Sequence, residues 1–119
     1  HVNYLRMPST DGAKYYREKT VVTTASFGTT NYRGQIAILH IDGNHSYAAA
    51  KADVTAWSAF VVDGGWIIID DYLWPYGDGP RRTGDEFIAD YFDRIDVAFV
   101  MGGALFIQLS PRPAHGQLR

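Results

Sequence analysis

The chain contains no cysteine. That excludes a disulfide framework and any metal site built on thiolates. Net charge is also scarce: eleven Lys and Arg stand against thirteen Asp and Glu, about −2 at pH 7. So small an imbalance offers no electrostatic footprint for nucleic acid or an anionic membrane. No apolar run approaches the roughly 18 residues needed to cross a bilayer, and no basic-then-apolar leader opens the sequence. Internal repeats and low-complexity segments are lacking too. The expectation is a cytoplasmic protein with neither nucleic acid nor membrane as partner. What remains is 119 residues, 46% hydrophobic, with three Trp, eight Tyr and six Phe, enough to fill the core of one small domain.

Two stretches organise that domain. IAILHIDGNHSY (36–47) reads as a buried strand that runs into a carboxylate, a glycine and a histidine before a helix starts. GGWIIIDDY (64–72) repeats the pattern, with a hydrophobic strand ending in carboxylates. Two strands with a helix between them form a right-handed βαβ unit, so they are expected to be parallel. Parallel neighbours put their C-terminal ends on one sheet edge, where open α/β sheets bind ligands. Asp42, Asn44, His45, Asp70 and Asp71 are therefore expected near one another.

The rest of the chain fits around this unit. Residues 2–7 alternate apolar and polar, as a strand covered on one side does. Ser9, Thr10 and Asp11 can cap a short helix over 13–19. Residues 20–27 are strand-like, and 28–34 read as a loop. A helix over 46–62 presents Tyr47, Ala50, Val54, Trp57 and Val61 as one stripe. Gly64 and Gly65 are expected to end it. The strand at 66–69 lacks alternation, as strands covered on both faces do. A long aromatic loop follows at 71–80. TGDE (83–86) is a capping box opening a helix with Phe87, Ile88, Tyr91, Phe92 and Ile95 at helical spacing. Residues 96–101 and 104–109 form a hairpin about Gly102-Gly103, and 111–119 a loosely ordered polar tail. The expected fold is one α/β domain over residues 1–110, its sheet mostly parallel with a C-terminal antiparallel hairpin.

Three aspartates at adjacent strand ends repel one another unless something compensates. Mg²⁺, with its preference for hard oxygens and retained waters, would do so at Asp42, Asp70 and Asp71. The structural alternative is that these aspartates accept turn and cap hydrogen bonds. His45 suits a general base near neutral pH, or it braces its loop. His40 lies inside the strand and reads as structural. Arg81 and Arg82 precede a helix N-terminus and would hold an acidic substrate or pair with local acids. Tyr72, Trp74 and Tyr76 would stack against a flat or sugar-like acceptor, or pack the loop on the sheet.

The segments IDGNHSY (41–47), Asp53 with Trp57, DGGWIIIDDY (63–72) and PRRTGDEF (80–87) together resemble class I S-adenosylmethionine-dependent methyltransferases. The group most similar is the metal-dependent O-methyltransferases of sugars and macrolides, with the cephalosporin-hydroxylase-like proteins. The resemblance implies a partial Rossmann-like methyltransferase sheet and an antiparallel strand pair at its end. It implies Mg²⁺ on Asp42, Asp70 and Asp71, and a small-molecule hydroxyl acceptor bound by the metal, with Tyr72, Trp74, Arg81 and Arg82 around it. Some relatives have an aspartate as base where this chain has Asn44, which leaves that role to His45. Ser9, Thr10 and Asp11 fall close to where the family holds the cofactor's adenine.

The resemblance covers the C-terminal part of the family domain. The family's first strand and glycine-rich cofactor loop have no counterpart in these residues, so a single chain is expected to form an incomplete cofactor site. The strand at 36–41 would then be a bare edge, which invites pairing with a second copy as a homodimer. Three functions follow from this reading. The first is a Mg²⁺-assisted O-methyltransferase completed by association. The second is a non-catalytic, truncated methyltransferase-fold module acting through self-association. The third is another small metal-dependent enzyme using the same aspartates.

Overall fold

The computed structural model describes residues 2–32 and 34–111. Beyond Pro111 the expected polar tail lies outside the described residues. The chain divides into two compact units, His1–Gln35 and Ile36–Arg119.

The N-terminal unit consists of helix α1 (Ser9–Glu18) and an antiparallel hairpin of β1 (Val21–Thr24) and β2 (Gly28–Asn31). Residues 2–7 are not a strand, contrary to their alternation. They are held by side chains instead: Asn3 donates to the Val22 and Gly28 carbonyls at 3.1 Å and accepts from the Thr24 hydroxyl at 2.7 Å, and Tyr4 meets Phe27 edge-on at 6.0 Å. The expected loop at 28–34 is partly strand, because Gly28 turns the chain back with φ +68°. A threonine-rich hairpin carries no alternating apolar signal, so its backbone pairing is invisible to hydrophobic pattern. Tyr16 and Tyr32 stack at 4.3 Å within the same unit.

The C-terminal unit holds β3 (Ile36–Ile41), α2 (Tyr47–Ser58), β4 (Val61–Ile69), α3 (Gly79–Asp90), a 3₁₀ turn (Phe92–Arg94), β5 (Ile95–Met101) and β6 (Ala104–Leu109). Its four strands lie in the order β3-β4-β6-β5. β3 and β4 are parallel, with Leu39 opposite Ile67 and Ile41 opposite Ile69. β6 runs antiparallel to both β4 and β5. The sheet is therefore mixed, with its parallel pair where the βαβ argument put it and its hairpin at the C-terminal end. The two-glycine turn is as expected: Gly102 and Gly103 have φ of +61° and +81°, which hairpin turns of this kind require.

The core gathers on one face of this sheet. Leu39, Ile41, Ile67, Ile69, Leu105, Ile107 and Leu109 pack against Val54 of α2 and Phe87 of α3. Alternate residues point the other way, and Ile38 is 64% exposed. The second half of β4, Trp66 to Ile69, therefore alternates in burial although its sequence is uniformly apolar. Both of its faces are covered there, one fully and the other in part.

Several element boundaries differ from the sequence reading: α1 already starts at Ser9, and α3 ends at Asp90, so that Phe92 falls in the 3₁₀ turn and Ile95 in β5 instead of in the expected helix. α2 stops at Ser58, because the β-branched pair Val61-Val62 already belongs to β4. Gly64 and Gly65 thus lie inside a strand and do not cap a helix. They sit where the pairing with β3 slips, between Ile36 opposite Val61 and Ile38 opposite Trp66. A bulge of this kind favours the positive φ of Gly64 (+80°). α3 begins at Gly79, a turn before the supposed capping box, with Pro80 at the helix start where its missing N–H costs nothing. Thr83 is buried within that helix and donates to the Gly79 carbonyl at 2.9 Å.

Candidate functional site

β3 and β4 end side by side, and the Asp70 amide donates to the Ile41 carbonyl at 2.9 Å. That bond fixes the two carboxylate-bearing ends. Asp42, Asn44, His45 and Asp70 line one small pocket there, together with Ile41, Ile69 and Pro80. The sequence argument thus brought together the right segments.

At and around this pocket the side chains divide into two groups. In the first, ligand atoms of His40, Asp42 and Asp70 lie within 4.8 Å of one another. His40 Nε2 is 3.9 Å from Asp70 Oδ2. Its membership was missed because it sits inside a strand. The signal was available: it alternates with Leu39 and Ile41, which face the core, so it must face away.

The second group forms around Asp71. Its carboxylate is 2.6 Å from His45 Nε2. Its backbone is left-handed, φ +55°, and no other described non-glycine residue has positive φ. The Asp71 amide donates to Asp70 Oδ1 at 2.9 Å. The next turn closes with the Trp74 amide donating to the Asp71 carbonyl at 3.0 Å. That turn stacks the Trp74 indole on the His45 ring, at 4.6 Å and 20°. Tyr76 meets Trp74 edge-on and is 84% exposed. Asn44 takes a local part, its side-chain oxygen accepting from the Ser46 amide at 2.8 Å. Ser46 in turn caps α2 by accepting from the Ala49 amide.

α3 closes the site from the side. A Cβ on Gly79 would lie 1.9 Å from the His45 carbonyl oxygen, so only glycine lets the helix start against this loop. The arginines that follow are engaged by aromatic rings. Arg81 lies over Tyr72 at 5.9 Å and Arg82 over Tyr47 at 3.8 Å. The Tyr72 hydroxyl donates to Asp85, and burial together with that bond raises its pKa. Ser9, Thr10 and Asp11 form the first turn of α1, in the other unit.

A charged cluster ties α2 to α3. Glu86 accepts from the Tyr47 hydroxyl at 2.5 Å and from Lys51 at 3.0 Å. The hydrogen bond from Tyr47 and then that from Lys51 hold the Glu86 carboxyl below its ordinary value. A depressed folded-state pKa contributes stability that is present above the unfolded value of about 4.3 and lost as pH falls through the folded one. The stability difference between wild type and Glu86→Gln should therefore shrink on acidification below about pH 4, followed by thermal melts. A difference that stays constant with pH would show that the pair does not couple to protonation.

A methyltransferase domain model matches residues 3–72, more than half of the chain. The chain belongs to this methyltransferase domain family. Two solved structures share its fold. The O-methyltransferase NovP is 21% identical, with a TM-score of 0.53 over 81% of this chain. MycE, a methyltransferase from the mycinamycin biosynthetic pathway solved with Mg and SAH, is 20% identical, with a TM-score of 0.59 over 97% of this chain. The chain spans 35% of the first protein and 33% of the second, about a third of each. No curated protein matches it. The methyltransferase resemblance read from the motifs is borne out by the family model, and the partial Rossmann-like architecture by the shared fold. No described helix is long and apolar enough to cross a membrane.

Proposed function

We propose that this chain carries the metal- and acceptor-binding part of an S-adenosylmethionine-dependent, Mg²⁺-assisted O-methyltransferase. One observation carries the reading: in a methyltransferase-family chain, Asp42 and Asp70 converge with His40 at the ends of adjacent parallel strands. The donor set fits the ion. Asp42 and Asp70 offer hard carboxylate oxygens, the first exposed and the second partly so, and that exposure leaves an ion access to the waters and substrate oxygens that Mg²⁺ keeps. His40 is the softer donor and stands at the rim.

Bound there, Mg²⁺ would supply Lewis-acid polarisation of an acceptor hydroxyl. S-adenosylmethionine would supply the electrophilic methyl group. The protein's own contribution is to orient the acceptor and take its proton. His45 lines the same pocket as Asp42 and Asp70 and is the residue for that proton. Trp74, stacked on His45, and the neighbouring Tyr72 would form an aromatic wall for the acceptor. Arg81 and Arg82 would contribute through the rings they cover. Ser9, Thr10 and Asp11 would approach the cofactor's adenine, and residues 1–110 would act as one domain.

β3 is the sheet's edge among the described strands, so its outer side is suited to pairing with a second copy. Homodimerisation is part of this proposal, in the cytoplasm and on a small-molecule acceptor. The same edge favours one competing reading, a non-catalytic module that works through self-association. Calorimetric titration of S-adenosylhomocysteine with Mg²⁺ present separates them. Micromolar binding that is lost in Asp42→Ala or without metal supports the enzyme. No heat at millimolar ligand supports the module.

A further inference from the structure

We propose that His40 is a nitrogen ligand of this metal site and tilts its preference from Mg²⁺ toward first-row transition ions such as Mn²⁺ and Co²⁺. The inference rests on the metal reading of this pocket and deepens it: it adds a donor to the aspartates and removes none.

The grounds are the pleat and the spacing. Side chains alternate along a strand, so the register that turns Leu39 and Ile41 into the core turns His40 away from it. Asp42 lies two residues further on. On β4, Ile68 stands opposite His40, and Asp70 follows two residues later. Alternation thus sends all three to one side of the parallel pair, and each brings one ligand atom within 4.8 Å of the other two. His40 Nε2 is 3.9 Å from Asp70 Oδ2, too long for a hydrogen bond. It fits two ligands of one ion, since donors about 2.1 Å from a metal stand at most about 4.2 Å apart. His45 gives the contrast: at 2.6 Å from Asp71 it makes the close contact that braces a loop. The His40 ring has no hydrogen bond among the described residues, and its side chain is 53% exposed, so the nitrogen is open to an ion from solvent. The chemistry decides which ion gains. Mg²⁺ takes oxygen ligands and gains little from an imidazole. Imidazole nitrogen binds first-row ions, more strongly from Mn²⁺ to Co²⁺ and beyond. One such donor beside carboxylates therefore separates those ions from Mg²⁺ further than an all-oxygen site would.

The test loads the whole chain with Mn²⁺ and reads nitrogen couplings by pulsed electron paramagnetic resonance. Wild type is expected to show a directly bound imidazole nitrogen, and His40→Ala to lose it. His40 is exposed, so alanine there should leave the fold and the melting temperature close to wild type. Calorimetric titration with Co²⁺ and with Mg²⁺ gives the second readout. His40→Ala should weaken Co²⁺ binding by about tenfold or more and Mg²⁺ binding by less than about threefold. Three results overturn the proposal: a wild-type spectrum without a bound nitrogen, a nitrogen that persists in His40→Ala and so belongs to another histidine, or equal losses for the two ions. If Mg²⁺ still binds in any of those cases, the metal reading stands and His40 alone is struck from it. If wild type binds neither ion, the metal site itself fails, and the inference with it.

Discussion

Gly79→Ala is expected to lower the melting temperature by about 10 °C, the consequence of roughly 3 kcal/mol of overpacking. Helix propensity taken alone would favour alanine over glycine in α3. The close approach reverses the sign. The new Cβ would lie 1.9 Å from the His45 carbonyl oxygen, 2.8 Å from the Tyr47 nitrogen and 2.9 Å from the Ser46 carbonyl carbon. All three are backbone atoms, and none can swing aside as a long side chain would. α3 must retreat, or the loop that carries His45 must move. Retreat also loosens Phe87 in the core and the bonds from Tyr47 and Lys51 to Glu86. The effect should therefore reach the site as well as the stability. Gly102 is the useful comparison, since it has left-handed φ but nothing within 4 Å of a built Cβ. Alanine there should cost only the conformational strain, about 1–2 kcal/mol. A Gly79→Ala protein that melts within about 2 °C of wild type would mean that the helix start is not seated on this loop.

Asp70→Ala is expected to abolish Mg²⁺-dependent methyl transfer and to weaken Mg²⁺ binding by about 100-fold or more. Asp70 has two tasks, and a second substitution separates them. Its Oδ1 accepts from the Asp71 amide, while its Oδ2 faces His40. Alanine removes both, so a loss of about 1 kcal/mol of stability accompanies the loss of metal. Asp70→Asn keeps an acceptor for the Asp71 amide and removes the negative charge. It should melt close to wild type and still fail to bind Mg²⁺. Unchanged Mg²⁺ affinity in Asp70→Asn, read by calorimetry, would argue against the carboxylate pair as the metal site. So would undiminished wild-type methyl transfer in excess chelator.

The contrast between these two positions reflects what each residue type advertises. A carboxylate at the end of an apolar strand is visible in sequence because it interrupts a hydrophobic run. Asp42 and Asp70 could be placed together from two such interruptions and the handedness of a βαβ crossover. A glycine's purpose is different, because it lies in atoms that are not there. Nothing in GPRRTGDEF says that the His45 carbonyl will fill the space beside Gly79. The capping box at residues 83–86 was a stronger local signal than Pro80, yet packing of Thr83 into the interior won. Gly64 and Gly65 likewise read as a helix stop, while their real task is a slip in strand pairing.

The sequence by itself determined the parallel pair of strands, the helix between them, the C-terminal hairpin, and the meeting of Asp42, His45 and Asp70 at one edge. Those features follow from periodicity, turn chemistry and chain handedness, all of which are local or nearly so. Only the tertiary structure decided how the polar side chains divide. His40 joins Asp42 and Asp70 because β3 has one face turned from the core. Asp71 turns to His45 because a left-handed backbone, a strand-end hydrogen bond and a stacked indole leave it that direction. Such choices depend on angles and contacts between segments 26 to 30 residues apart, such as His45 with Asp71 and His40 with Asp70. A one-dimensional pattern carries spacing, but it does not carry the direction in which a side chain points once its neighbours are in place.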